Sequence, residues 1–142
     1  MLVNAHTAQL AAEELRDRQT SARRLIGEGK VTRARALAEI KPFVALACRW
    51  GVNLPELRDE IEQLRGVFGA DDLALARRLV ADDLCPTHGI SDALVKARDR
   101  AVERALSDPT RQPRATRLAM IAAAFGCPHY RAAAAEPERK AA

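Results

Sequence analysis

The stretch LACRWGVNLPELRDEI, residues 46–61, has the pattern of two helices joined at a tight corner. Gly51 ends the first apolar run, where a left-handed backbone suits a residue without a Cβ. Asn53 and Glu56 have the spacing of a capping box, and Pro55 stands in the first turn, where its missing N–H is not needed. The corner therefore predicts one helix before Gly51 and another from about Pro55.

Helix signals of the same kind recur along the rest of the 142 residues. No run alternates apolar and polar residues in the manner of a half-buried strand, and Ala and Leu dominate. We therefore predict an all-α protein, a compact array of about six helices without a β-sheet. The other expected elements are a helix over residues 5–26, one capped by Thr32 that runs through Ile40 with a kink or a new start at Pro42, two capped by Asp71 and Ser91, and a last one over residues 115–125.

Composition suits a single domain without a membrane span. Apolar residues make up 48% of the chain but aromatic residues only 4%, so the core must consist mainly of Leu, Ala, Ile and Val. We assign residues 1–135 to one all-helical domain and the low-complexity residues 136–142 to a flexible tail. The start of the chain lacks a signal-peptide pattern, and the longest nearly apolar run, residues 118–127, is about half of a membrane span. With three cysteines that lack disulfide spacing, these features predict a cytoplasmic protein outside the membrane.

The corner at Gly51 resembles a DNA-reading helix-turn-helix in shape. Ala47, Gly51, Val52 and Leu57 occupy the small and apolar positions of that motif. The chemistry points the other way, because the helix that would read bases, residues 54–65, carries four acidic side chains against two arginines. A net negative helix between phosphates opposes the main source of DNA affinity. We therefore interpret residues 46–61 as an ordinary helix corner.

A basic region near the C-terminal end is the stronger candidate for nucleic-acid contact. Residues 53–95 carry nine acidic against four basic side chains, whereas residues 96–142 carry ten basic against five acidic. Residues 121–134 repeat the helix-turn-helix outline, and their second helix would present a histidine, a tyrosine and an arginine. The alternative is a solvated helix face that carries arginine for solubility. The predicted nucleic-acid-binding residues are Lys96, Arg100, Arg104, Arg111, Arg114, Arg117, His129, Tyr130 and Arg131.

Metal binding and catalysis have weaker support. Cys85 and His88 are three residues apart and Cys127 and His129 two apart, which is formally a tetrahedral zinc set. Neither spacing is a familiar zinc pattern, so we interpret the cysteines as small buried apolar residues. Phosphate-binding glycine loops, nucleophile elbows and zinc-hydrolase motifs are absent from the sequence. We therefore expect no enzyme, no metal, no cofactor and no small-molecule substrate.

These features favour a non-catalytic, nucleic-acid-associated protein, helix-turn-helix-like, with a regulatory or accessory role. The alternative is a helical protein-interaction module or homodimer that does not bind nucleic acid. Its basis is the thin apolar stripe of the first helix, whose Leu15, Ala22 and Leu25 would lie at an interface.

Overall fold

The computed structural model describes residues 4–68 and 72–131. This part of the chain contains six α-helices, two short 3₁₀ turns at Pro55–Leu57 and Pro109–Arg111, and no strand, which confirms the all-α fold. The tail at 136–142 and the domain boundary at 135 lie outside the described residues. The helices are α1 (Ala5–Gly27), α2 (Arg33–Arg49), α3 (Arg58–Phe68), α4 (Leu73–Leu84), α5 (Thr87–Ser107) and α6 (Gln112–Phe125).

Three of the helices end on the same glycine motif. At the end of α2, the Val52 N–H donates to the Ala47 carbonyl at 2.9 Å and the Gly51 N–H donates to the Cys48 carbonyl at 3.1 Å. Gly51 has a φ of 82°, which confirms the left-handed corner, and Gly29 after α1 and Gly126 after α6 have φ values of 72° and 88°. This is the Schellman arrangement, in which a residue without a Cβ satisfies the last free carbonyls of a helix.

The core consists of aliphatic side chains and alanines, as the composition predicts. Among its largest fully buried side chains are Leu46 of α2, Ile90 and Leu94 of α5, and Leu118 and Ile121 of α6. Helix α5 packs against α6, α2 packs against α1, α4 and α5, and α3 packs against α4. Helix α1 also packs on α6, so the first and last helices of the array are neighbours.

Two sequence signals for a helix start act differently from expectation, for reasons of packing. Of the two alternatives expected at Pro42, a new start does not occur. Helix α2 continues through Pro42. The lost hydrogen bond at Pro42 is outweighed because the following turns bury Phe43 and Leu46 in the core. After Gly51, Leu54 precedes the 3₁₀ turn without a side-chain cap, so the capping box at residues 53–56 does not form. Burial of Leu54 and Leu57 sets the path of the chain there instead.

The start of α5 also differs from expectation. Helix α5 begins at Thr87, directly after Pro86, so Ser91 lies inside the helix and does not cap it. Pro86 has an extended backbone and no N–H, which suits a residue just before a first turn. Asp71, the expected cap of α4, lies outside the described residues. Within the described residues, no helix is both long and apolar enough to cross a membrane.

Candidate functional site: a basic cleft between helices

A cleft of about 710 Å³ opens between α1, α2, α5 and the start of α6. Its lining carries seven cationic side chains and a single carboxylate, Glu39. The floor is partly apolar, formed by Pro42, Phe43 and alanines of α2 and α5. The cleft and its cations are together termed the basic cleft. The seven cationic residues are Arg18, Arg35, Lys96, Arg100, Arg104, Arg111 and Arg114.

Helix α5 forms one wall of the basic cleft through two parallel rows of side chains. Lys96, Arg100 and Arg104 follow one another at intervals of four residues, which places them on one face of the helix. Ala93, Ala97 and Ala101 lie on the same side and also line the cleft. The small alanines leave space beside the long cationic chains, so the shape and the charge of this wall come from the same stretch of sequence.

The cations of the basic cleft are only partly neutralised. Arg35 pairs with Glu39 at 3.2 Å, and Arg111 pairs with Asp108 at 3.2 Å. Within residues 4–68 and 72–131, the side chains of Lys96, Arg100 and Arg104 form no ion pair. Glu14 is the third carboxylate, so seven cations and three carboxylates leave four positive charges.

Glu14 links α1 to α6 behind the cleft. Its side chain is fully buried and accepts a hydrogen bond from Arg18 Nε at 2.7 Å and another from Arg114 Nη2 at 3.1 Å. Arg117 donates to Glu14 through Nε at 3.2 Å and Nη2 at 2.9 Å, and the same Nη2 reaches Asp17 at 2.6 Å. Glu14 therefore orients two of the cleft arginines and fixes a third beside them.

The ionisation of this cluster follows from the balance of burial and pairing. Burial raises the pKa of Glu14, but the neighbouring Arg18, Arg114 and Arg117 lower it further, so it lies below its ordinary value. Burial lowers the pKa of Arg117, yet Asp17 and Glu14 reverse this and leave it raised. Glu14 is therefore a carboxylate at neutral pH.

The structure divides the sequence-predicted binding residues into two groups. Lys96, Arg100, Arg104, Arg111 and Arg114 all line the basic cleft. Arg117 is engaged with Glu14 and Asp17 and does not line the cleft. His129, Tyr130 and Arg131 follow the opposite end of α6, a 14-residue helix of roughly 20 Å.

The second helix-turn-helix outline, at residues 121–134, is wrong for the residues that the structure describes. Residues 127–131 follow α6 without forming a helix. Arg98, a buried side chain of α5, donates a hydrogen bond to the carbonyl of Pro128 and ties this segment to the bundle. This hydrogen bond satisfies a buried guanidinium, which would otherwise lack a partner for that N–H. The sequence pattern did not reveal that Arg98 is buried.

Arg18 and Arg35 belong to the cleft but were absent from the predicted set. The sequence places Arg18 as an interruption in the apolar stripe of α1, whereas its guanidinium pairs with Glu14 and lies over the ring of Phe43. The four-residue spacing between Glu14 and Arg18 is the one signal that could have indicated the pair. Arg35 reaches the cleft because α2 packs against both α1 and α5.

The corner at Gly51 does not form the packed helix pair of a DNA-reading motif. Helix α3 makes its main contact with α4, which in turn packs against α2. The acidic side chains Glu56, Asp59, Glu60 and Glu62 are exposed along α3 and the turn before it. This face would repel phosphate, in agreement with the interpretation as a helix corner.

The cysteines are buried and the nearby histidines are exposed. Cys127 Sγ lies 3.5 Å from Ser91 Oγ, and Cys85 Sγ donates to the Pro86 carbonyl at 3.6 Å. Burial raises the pKa of the Cys85 thiol and of the Cys48 thiol, so both are poor nucleophiles. Within the described part of the chain, no three His, Cys, Asp or Glu side chains form a group suited to a metal ion.

One residue expected at a protein interface is instead part of the core. Leu15 is only 3% exposed and packs inside the bundle, so it is not available to a second chain. Ala22 and Leu25 are half-buried near the end of α1.

Comparisons of the chain with protein-family models, curated proteins and solved structures found no match.

Proposed function

We propose that this chain is a non-catalytic, nucleic-acid-associated protein, with a regulatory or accessory role, that binds the sugar–phosphate backbone in the basic cleft. The observation that carries the proposal is the convergence of seven cations on one concave surface, with only three carboxylates to neutralise them. Like charges spaced by four residues on a helix cost about 0.2–0.5 kcal/mol per pair. A polyanion in the cleft would compensate that repulsion at Lys96, Arg100 and Arg104.

The lining favours contact with phosphates over contact with bases. Phe43 is the only aromatic residue among the described lining residues, and its ring is covered by Arg18. A stacking platform for unpaired bases needs an exposed ring. The amide side chains that read adenine are absent from the described lining of the cleft. We therefore expect binding with little dependence on nucleotide sequence.

The test compares two variants that remove the same charge from different surfaces. K96A/R100A/R104A removes the unpaired cations of the α5 wall. R23A/R58A/R78A removes three exposed arginines of α1, α3 and α4 that do not line the cleft. Fluorescence anisotropy with labelled single-stranded and duplex DNA at one low salt concentration measures the affinity of each.

We expect the cleft variant to lose at least about tenfold in affinity and the control variant to lose less than about threefold. Equal losses of DNA affinity in the two variants would show that binding depends on net charge and not on the cleft. Absence of binding by the unmodified protein to either DNA would overturn the proposal.

A further inference from the structure

Arg18 is held more firmly than the other cations of the basic cleft. Its Nε donates to the fully buried Glu14 at 2.7 Å, and its Cζ lies 3.8 Å from the centroid of the Phe43 ring. Phe43 is itself a core residue, only 5% exposed. A hydrogen bond at one edge and a ring beneath the plane fix both the position and the tilt of the guanidinium.

The Nη edge of this guanidinium has no protein partner within the described residues. Within the described residues, Nη1 and Nη2 of Arg18 form no hydrogen bond. The buried side-chain nitrogen and oxygen atoms that lack a hydrogen bond there do not include these two nitrogens. Both nitrogens therefore retain accessible surface, and Arg18 is a lining residue of the basic cleft. Two parallel N–H donors on a fixed plane match two oxygens of one phosphate group.

We infer that Arg18 is the phosphate-orienting residue of the basic cleft, donating from Nη1 and Nη2 to the two non-bridging oxygens of a single backbone phosphate. This inference rests on the proposed function and deepens it, since it assigns one phosphodiester group to one side chain. Glu14 and Phe43 act as positioning residues, because they hold the guanidinium but do not touch the ligand.

The other cations provide charge with less fixed geometry. Arg35, on the opposite wall, has a side chain that is 75% exposed and pairs only with the exposed Glu39. Its long side chain can move with a phosphate, so a lysine at that position should keep most of the contribution that Arg35 makes to binding. At Arg18 a lysine keeps the charge but loses the planar fork.

The experiment compares R18K with R78K, two identical changes that both preserve net charge, the second at an exposed arginine of α4 that does not line the cleft. Anisotropy titrations with one labelled single-stranded DNA at several salt concentrations give the affinity and its salt dependence. We expect R18K to bind at least about tenfold more weakly than the unmodified protein and R78K to stay within about threefold. The salt dependence of R18K should match that of the unmodified protein, since the number of cations is unchanged.

A second measurement needs no variant and so does not depend on the folding of R18K. In arginine side-chain NMR of the unmodified protein, saturating DNA should slow rotation about the Cζ–Nη bonds of Arg18 and shift its Nη resonances. Arg35 should change less. Unaltered Arg18 resonances on binding, or equal affinities of R18K and R78K, would overturn the assignment while leaving the proposed function in place. A protein that binds no DNA would overturn both.

Discussion

At the scale of single residues, Glu14 is the group on which the arrangement of three arginines depends. It is fully buried, and Arg18, Arg114 and Arg117 all donate to it. Removing one partner of a buried ion pair leaves the other charges desolvated and uncompensated. Because its arginines come from both α1 and α6, the effect of losing this carboxylate extends to the contact between the two helices.

Replacement of Glu14 by Gln is expected to lower the free energy of unfolding by about 3–5 kcal/mol at neutral pH. Glu13 provides the matched control, since it is half-exposed on the same helix and forms no ion pair within the described residues. Urea unfolding of E14Q, E13Q and the unmodified protein measures both effects, and E13Q should stay within about 0.5 kcal/mol. A similar loss of unfolding free energy in E14Q and E13Q would show that Glu14 has no special role in stability.

The contribution of Glu14 also has a defined pH dependence. Burial raises its pKa, the three arginines more than reverse the effect, and the folded value lies below the ordinary value of about 4.5. Between the folded and the unfolded pKa, the unfolded chain binds more protons than the folded chain. The stabilisation by Glu14 is therefore complete above about pH 4.5 and is lost as the pH falls through the folded pKa. We expect the stability difference between the unmodified protein and E14Q to narrow below about pH 4.5, as measured by urea unfolding from pH 7 to pH 3. A difference that stays constant over that range would contradict the linkage.

At the scale of elements, glycines show how local backbone geometry decides where helices end. Gly126 closes α6 with a φ of 88°, whereas Gly66 lies inside α3. A Cβ at either position would meet no atom within 4 Å. The two sites therefore differ in backbone conformation and not in available space.

The same substitution at these two glycines should have opposite effects. We expect Gly126→Ala to destabilise the protein by about 1–2 kcal/mol, since an L side chain disfavours the left-handed region. Gly66→Ala should stabilise it by about 0.5–1 kcal/mol through higher helix propensity. Thermal or urea unfolding of both variants checks the signs, and destabilisation by Gly66→Ala would contradict the account.

Two sets of replacements of basic residues differ in whether they break the connection between α1 and α6. R111A/R114A/R117A removes two partners of Glu14, whereas K96A/R100A/R104A removes cations that form no ion pair within the described residues. We expect the first variant to lose roughly 3 kcal/mol or more of unfolding free energy and the second to lose little or to gain. Urea unfolding separates them, and equal losses would show that the Glu14 cluster does not stabilise the fold.

At the scale of the whole molecule, the sequence predicts the helices better than their assembly. Helical periodicity and the glycine punctuation at Gly51 and Gly126 are local, so the all-α class and most helix ends followed from them. The expected start at Ser91 failed because Pro86 offered an equally good local start five residues earlier. The new start at Pro42 did not occur because burial of the following turns, which is a tertiary effect, outweighed a local signal.

The basic cleft was predictable only on one side. Lys96, Arg100 and Arg104 lie on one helix face, so their convergence was visible in the spacing. Arg18 and Arg35 come from α1 and α2, and they reach the cleft only because those helices pack against α5 and α6. Nothing in the local pattern shows that packing, and the same limitation led to the expectation that Leu15 lies at an interface.

The salt dependence of DNA binding tests the central claim most directly. Each cation–phosphate contact contributes about −0.7 to the slope of log K against log salt for a single strand and about −0.9 for a duplex. We therefore expect unmodified protein and R23A/R58A/R78A to share one steep slope, and K96A/R100A/R104A to have a slope smaller in magnitude by about two to three. A single slope for all three proteins, or binding that does not weaken with salt, would contradict a phosphate-binding role for the cleft.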